Sequence, residues 1–217
     1  MIDIIEKYAK ENMQNIPAHD YGHVNRVRRW ALIIAKEEGF KDLEAIEVAA
    51  LLHDIGRGHT ENEKQHGEMG AEIAQRYLKE NGFFTDEVIA DVCGAIRYHC
   101  TNRKGEGTLL NILRDADKLD LSGAVGIWRV MISKYLKPYS PDDNLRGETW
   151  KMGAVDFDRR FDSGIGQGEY IVDEINFCIS CYDNFATETA KKLAKPFVDY
   201  MIGFVKEMEK EVNNTSE

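Results

Sequence analysis

The run Leu51-Leu52-His53-Asp54-Ile55-Gly56-Arg57-Gly58 places an adjacent histidine and aspartate at the end of an apolar helical segment, Val48 to Leu52, which then breaks on two glycines. An imidazole beside a carboxylate at a buried helix end is costly unless something satisfies both groups, and a divalent metal is the natural partner. Other residues of the same chemistry lie on apolar helical stripes. His23 shares a face with Val27, Ala31 and Ile34, and His66 with Gly70, Ile73 and Tyr77. His99 follows Val92 and Ile96, and Asp117 follows Leu110 and Leu113. One histidine on such a stripe is ordinarily a hydrogen-bonded core residue, whereas a carboxylate there is harder to explain because burying it unpaired is expensive. Six such residues on five separate helices, all turned inward, satisfy one another most simply around metal ions.

The elements that must carry them read as helices throughout. Apolar residues recur at i, i+3, i+4 and i+7, and no Asn-Gly or Asp-Gly turn joins two alternating runs, so the expected fold class is all-α. A first helix spans about Ile4 to Met13, and a second follows Asp20 as N-cap and stops at Gly39. The third starts after Asp42 and ends in the His-Asp pair; others are expected over Glu63–Glu80, from Thr85 to about His99, over Thr108–Asp120, and from Gly123 to about Lys137. Residues 138–168, with two prolines and five glycines, read as a loop-rich insertion. Helical pattern resumes near Tyr170, and a last helix follows Thr187, with Pro196 expected to kink or split it. Val212 to Glu217 read as frayed. The chain is expected to be a single helical domain over 1–217, with its core at about 17–130 and added C-terminal helices over 170–210.

Composition narrows the function classes. A net charge of -10 argues against broad, backbone-driven nucleic-acid binding, though not against a small anion in a locally basic pocket. No apolar run approaches the length of a membrane span, and the charged, amphipathic stretch Met1 to Asn15 is unlike a signal or transit peptide. Four cysteines without framework spacing fit a reducing compartment, so a cytoplasmic location is expected.

The order His23, His53-Asp54, His66, His99, Asp117 resembles the HD-domain superfamily of metal-dependent phosphohydrolases, whose signature is H…HD…D on an all-helical scaffold. His19 to Val27 is similar to that family's first motif, and Ala49 to Gly56 to its second. Asp115-Ala116-Asp117-Lys118-Leu119-Asp120, followed by Gly123 to Ile127, is similar to the last motif in a group of bacterial HD hydrolases without an assigned substrate. The resemblance implies an HD-domain helical bundle in which His23, His53, Asp54 and Asp117 hold a divalent ion (Fe, Mn, Zn, Ni, Co or Mg), with Asp54 central to catalysis. It also implies a small phosphorylated substrate, a nucleotide above all, attacked by metal-activated water.

Two arrangements stay open for His66 and His99. Either they complete a second ion's site with Asp54 as the bridge, or they contact phosphate or act as acid and base beside a single ion. Arg57, Arg26, His19 and Asp120 flank the matched residues and are candidate substrate contacts; His19 and Asp120 equally suit the orientation of a ligand. His59 reads as a surface residue, and Cys178-Ile179-Ser180-Cys181 as two helix cysteines one turn apart. The insertion carries Arg146, Arg159 and Arg160, which suits a lid over phosphate, an oligomer contact or a floppy loop. Two rival functions remain: a di-iron oxygenase of the same superfamily, and a non-catalytic nucleotide-sensing module.

Overall fold

The fold was analysed in a computed structural model, which describes residues 1–60, 65–100, 105–141 and 143–213. Ten α-helices and no β-strand occur among these residues. The helices are α1 (Ile2–Asn12), α2 (Tyr21–Glu37), α3 (Leu43–Leu52), α4 (His66–Asn81), α5 (Asp86–Tyr98), α6 (Thr108–Asp120), α7 (Gly123–Ser133), α8 (Ala154–Asp162), α9 (Ile171–Ser180) and α10 (Glu188–Asn213). The chain divides into two compact units, Met1–Asp117 and Lys118–Glu217.

In the first unit, local chemistry sets where each helix begins and ends. The Asp20 carboxylate accepts from the His23 backbone N–H, the Asp42 carboxylate from that of Ala45, and the Thr85 hydroxyl from that of Val88. Each side chain thereby satisfies one of the backbone donors a helix start leaves open. Gly82 ends α4 in the left-handed region at φ 61°, which glycine adopts without strain. The expected start of α4 at Glu63 lies outside the described residues.

Helix α3 is the centre of this unit. It packs against α1, α2 and α5, and every residue from Val48 to Leu52 is buried. Burying Leu51 and Leu52 stabilises the unit by about 2 kcal/mol each. The chain then turns tightly through residues 53–59, with the N–H groups of Ile55, Arg57 and His59 donating to the carbonyls of Leu52, Asp54 and Gly56. Two close approaches fix α4 on this turn and on α5. A Cβ at Gly56 would lie 2.1 Å from the His66 carbonyl oxygen, and one at Gly67 would lie 2.7 Å from that of Arg97. Only glycine permits backbones to meet so closely.

The second unit is built on α7, α9 and α10, whose Ile127, Val130, Val172, Ile175, Met201 and Val205 share one apolar cluster. Two expectations are corrected here. The insertion contains α8, a helix hidden from the periodicity reading by charges among glycines and prolines; it buries Ala154 and Phe157, and the Phe157 and Phe161 rings meet Phe177 edge-on at 5.4 and 5.5 Å. Other parts of the insertion are held by α9: Asp173 accepts from the Thr149 N–H and hydroxyl at 3.0 and 2.8 Å, and Asn176 Nδ2 donates to the Arg146 carbonyl at 2.9 Å. Helix α10 continues through Pro196 rather than splitting into two helices there. Pro196 is exposed there, while Ala190, Ala194, Val198, Met201 and Val205 are buried, so packing outweighs the roughly 3 kcal/mol that an interior proline costs. Helix α7 also stops at Ser133, short of the expected Lys137, and residues 214–217 of the expected frayed end lie outside the described residues.

Candidate metal centre

All six inward-facing residues singled out in the sequence come from the first unit, and His23, His53, Asp54, His66 and His99 are fully buried. They converge on the Asp54 carboxylate. Its Oδ2 lies 3.5 Å from His23 Nε2 and 3.7 Å from His53 Nε2, and its Oδ1 lies 3.5 Å from His66 Nε2 and 3.6 Å from His99 Nε2. Asp117 Oδ1 approaches His23 Nε2 to 3.5 Å on the first side.

The donor chemistry fits cations at these positions. His53 Nδ1 lies 2.8 Å from the Ala50 carbonyl and His99 Nδ1 lies 2.6 Å from that of Ile96. A carbonyl only accepts, so in each ring Nδ1 carries the hydrogen, and a neutral ring then offers Nε2 as a lone pair. These lone pairs face other imidazole nitrogens, His53 Nε2 at 3.3 Å from His23 Nε2 and His99 Nε2 at 3.1 Å from His66 Nε2. Two nitrogens bound to one ion at about 2.1 Å stand roughly 3.0–3.4 Å apart at ordinary coordination angles. The nitrogen pairs are therefore spaced as the edges of two coordination polyhedra, with one carboxylate oxygen aimed at each.

Protonation follows the same logic. Burial pushes His53 down to about 4, against the pull of the Asp54 charge, and leaves it neutral at pH 7. Burial of Asp54 favours its protonated form, but His53, Arg57, His19 and His23 together hold it well below the ordinary carboxylate range. For His99, burial is overcome by Asp54 and Cys100, and the imidazole is raised well above 6.5, so an ion at Nε2 would displace a proton from it.

The flanking candidates separate. His19 Nδ1 sits 2.9 Å from Asp54 Oδ2, and Arg57 Nε lies 2.8 Å from Asp54 Oδ1, so both hold the central carboxylate. Arg26 is half-buried on α2, one turn beyond His23, with its guanidinium reaching back toward Gly22. Asp120 belongs to the second unit, where it is buried and pairs with Arg129 at 3.2 Å. His59 is exposed, and Cys178 and Cys181 are buried free thiols in the second unit. The insertion's arginines have partners of their own: Arg146 with Glu209, Arg159 with Asp156 and Arg160 with Glu148.

One residue at the site carried no sequence signal. Cys100 Sγ lies 3.3 Å from His66 Nε2 and 3.9 Å from His99 Nε2. Burial raises its thiol, but the two imidazoles outweigh burial and bring it down to about 6.

Comparison with known proteins agrees with this arrangement. The HD domain family model matches residues 20–122. A predicted HD superfamily hydrolase from an uncultured Thermotogales bacterium is 31% identical, with a TM-score of 0.62 over 97% of this chain and 90% of that one. Bacillus subtilis YpgQ, solved in complex with ADP, is 22% identical, with a TM-score of 0.67 over 97% of this chain and 94% of that one. An HD-superfamily hydrolase from Bacillus thuringiensis is 23% identical, with a TM-score of 0.68 over 98% of this chain and 96% of that one. No curated protein matches the chain. The chain belongs to the HD superfamily. That membership supports, in general terms, a metal-dependent phosphohydrolase. No helix among the described residues is long and apolar enough to cross a membrane.

Proposed function

We propose that this chain hydrolyses a small phosphate ester, with a nucleotide as the expected substrate, at a centre that holds two divalent ions. One observation carries the reading: each oxygen of the buried Asp54 carboxylate faces its own pair of imidazole nitrogens. In this reading His23, His53, Asp117 and Asp54 would hold one ion, and His66 and His99, with Asp54, the other. When bound, such ions supply Lewis-acid charge for a phosphoryl oxygen and acidify water at the site.

The chain's own residues would do the rest. His53 and His99 are locked in orientation by their Nδ1 contacts to backbone carbonyls, which keeps both Nε2 atoms aimed inward without further ordering cost. His19, at Asp54 Oδ2, and Arg57, ion-paired with Oδ1, would hold the carboxylate in place. Arg57 and Arg26 also supply positive charge suited to phosphate. The burial of Asp120 and its pairing with Arg129 favour a structural role for it.

A nucleotide is favoured because YpgQ, of the same fold, was solved with ADP. The free state of all four cysteines supports a reducing compartment such as the cytoplasm. The test is phosphate release from a panel of nucleotides and simple phosphate esters, using protein stripped and reloaded with Mn, Co, Ni, Zn, Fe or Mg. Release that disappears in Asp54→Ala is the expected outcome. No release from any metal form, with oxygen uptake by the iron form, would replace hydrolysis with the oxygenase reading. Tight nucleotide binding without turnover would replace it with the sensor reading.

A further inference from the structure

Helices α3 and α5 end in the same way. In α3 the C-cap is His53, whose Nδ1 meets the carbonyl three residues back, and the next residue, Asp54, turns its side chain into the site. In α5 the C-cap is His99, whose Nδ1 also meets the carbonyl three residues back, and the next residue is Cys100. Its sulfur points at the same imidazole nitrogens that face Asp54 Oδ1. The sulfur, His66 Nε2 and His99 Nε2 all lie within 4.8 Å of one another.

We infer that Cys100 is a metal ligand, completing a site formed by His66, His99 and Asp54 Oδ1. Resting on the two-ion reading, the inference adds a donor of a different kind. A sulfur at about 2.3 Å and a nitrogen at about 2.1 Å from one ion stand roughly 3.1–3.6 Å apart. The sulfur's 3.3 Å separation from His66 Nε2 falls in that range, and its 3.9 Å separation from His99 Nε2 lies a few tenths beyond it. The chemical consequence is asymmetry. The Oδ2 side offers only nitrogen and oxygen donors, whereas the Oδ1 side offers two nitrogens, an oxygen and a soft thiolate. Thiolate selects zinc, cobalt or iron over magnesium, so the Oδ1 side should prefer those ions while the Oδ2 side accepts harder ones.

Cobalt reports this directly, because a thiolate bound to Co(II) gives a near-ultraviolet sulfur-to-metal charge-transfer band. The stripped full-length protein is titrated with Co(II), and the bound metal is counted per chain. The expected result is two ions with the sulfur band, and in Cys100→Ser the loss of the band with at least about tenfold weaker binding of one ion. Circular dichroism of Cys100→Ser checks that the helices are intact, and in the wild type bound Zn(II) should shield the thiol from a thiol-specific reagent. Two cobalt ions without the band, or a band that survives Cys100→Ser, overturns the cysteine assignment and leaves the two-ion reading standing. A single ion per chain that is retained in His66→Ala overturns both.

Discussion

Asp54 gathers more of the site's contacts than any other side chain, and its chemistry explains why four imidazoles can be buried together. Each imidazole taken from water without a partner costs free energy, and four of them around one ionised carboxylate still lack full compensation. Cations between the oxygen and nitrogen donors would supply it. The two sides of Asp54 should then be separable. His66→Ala is expected to lower the metal content from two ions to one while sparing the ion at His23 and His53; His23→Ala should do the reverse. Elemental analysis of the purified variants reads this. Two ions in both variants would sink the bridge. Arg57 lies at Asp54 Oδ1, so any phosphate it bound would compete with that ion pair.

At the scale of elements, the site depends on helix ends and on what braces them. His53 and His99 are both C-caps, and His23 lies in the first turn of α2. Outside the site, Glu6 ties α1 to α2 and, through Arg28, to α3. It accepts from Lys10 at 2.6 Å, from Tyr21 at 2.7 Å and from Arg28 at 2.8 Å, while Arg28 also reaches Glu47 of α3 at 2.7 Å. Lys10, then Tyr21 and Arg28, lower Glu6 from 4.5 to about 2 against a smaller opposing effect of burial. A carboxylate depressed on folding contributes stability above its unfolded value and loses it as the pH falls through the folded one. The Glu6 side chain is 23% exposed, so after allowance for solvent screening the contribution is about 1–2 kcal/mol. Glu6→Gln should therefore unfold at lower denaturant at pH 7, and the gap from wild type should close between pH 4.5 and 2. A gap that stays constant over that window would remove the charge argument.

For the whole molecule, the division at Asp117 and Lys118 matters because every proposed ligand lies on one side of it. An ion that binds only the folded protein stabilises it by about 2.7 kcal/mol when present at a hundred times its dissociation constant. For a chain of this size that is a rise in melting temperature of about 5–10 °C. Calorimetry with and without a chelator should show the shift. Hydrogen exchange should place the largest gain in protection within residues 1–117, and an even gain along the chain would contradict the localisation.

Much of this was legible in the sequence because helices and buried polar residues leave local traces. Periodicity and capping residues marked α2, α3, α5 and α6 to within a residue or two, since Asp20, Asp42 and Thr85 act on backbone donors within three residues. The inward positions of His23, His53, His66, His99 and Asp117 could be read from apolar stripes, because a helix face is fixed by spacing alone. Helix α8 could not, as its Phe157 and Phe161 are fixed by Phe177 of a different helix. The placement of Cys100 was equally out of reach. No spacing links Cys100 to His66; they meet because α4 and α5 pack closely enough, through Gly67, for a helix start and a helix end to share one site. The sequence by itself determined which residues had to be satisfied in the interior. Only the tertiary structure decided which atoms satisfy which, because that depends on distances between helices that local propensity does not encode.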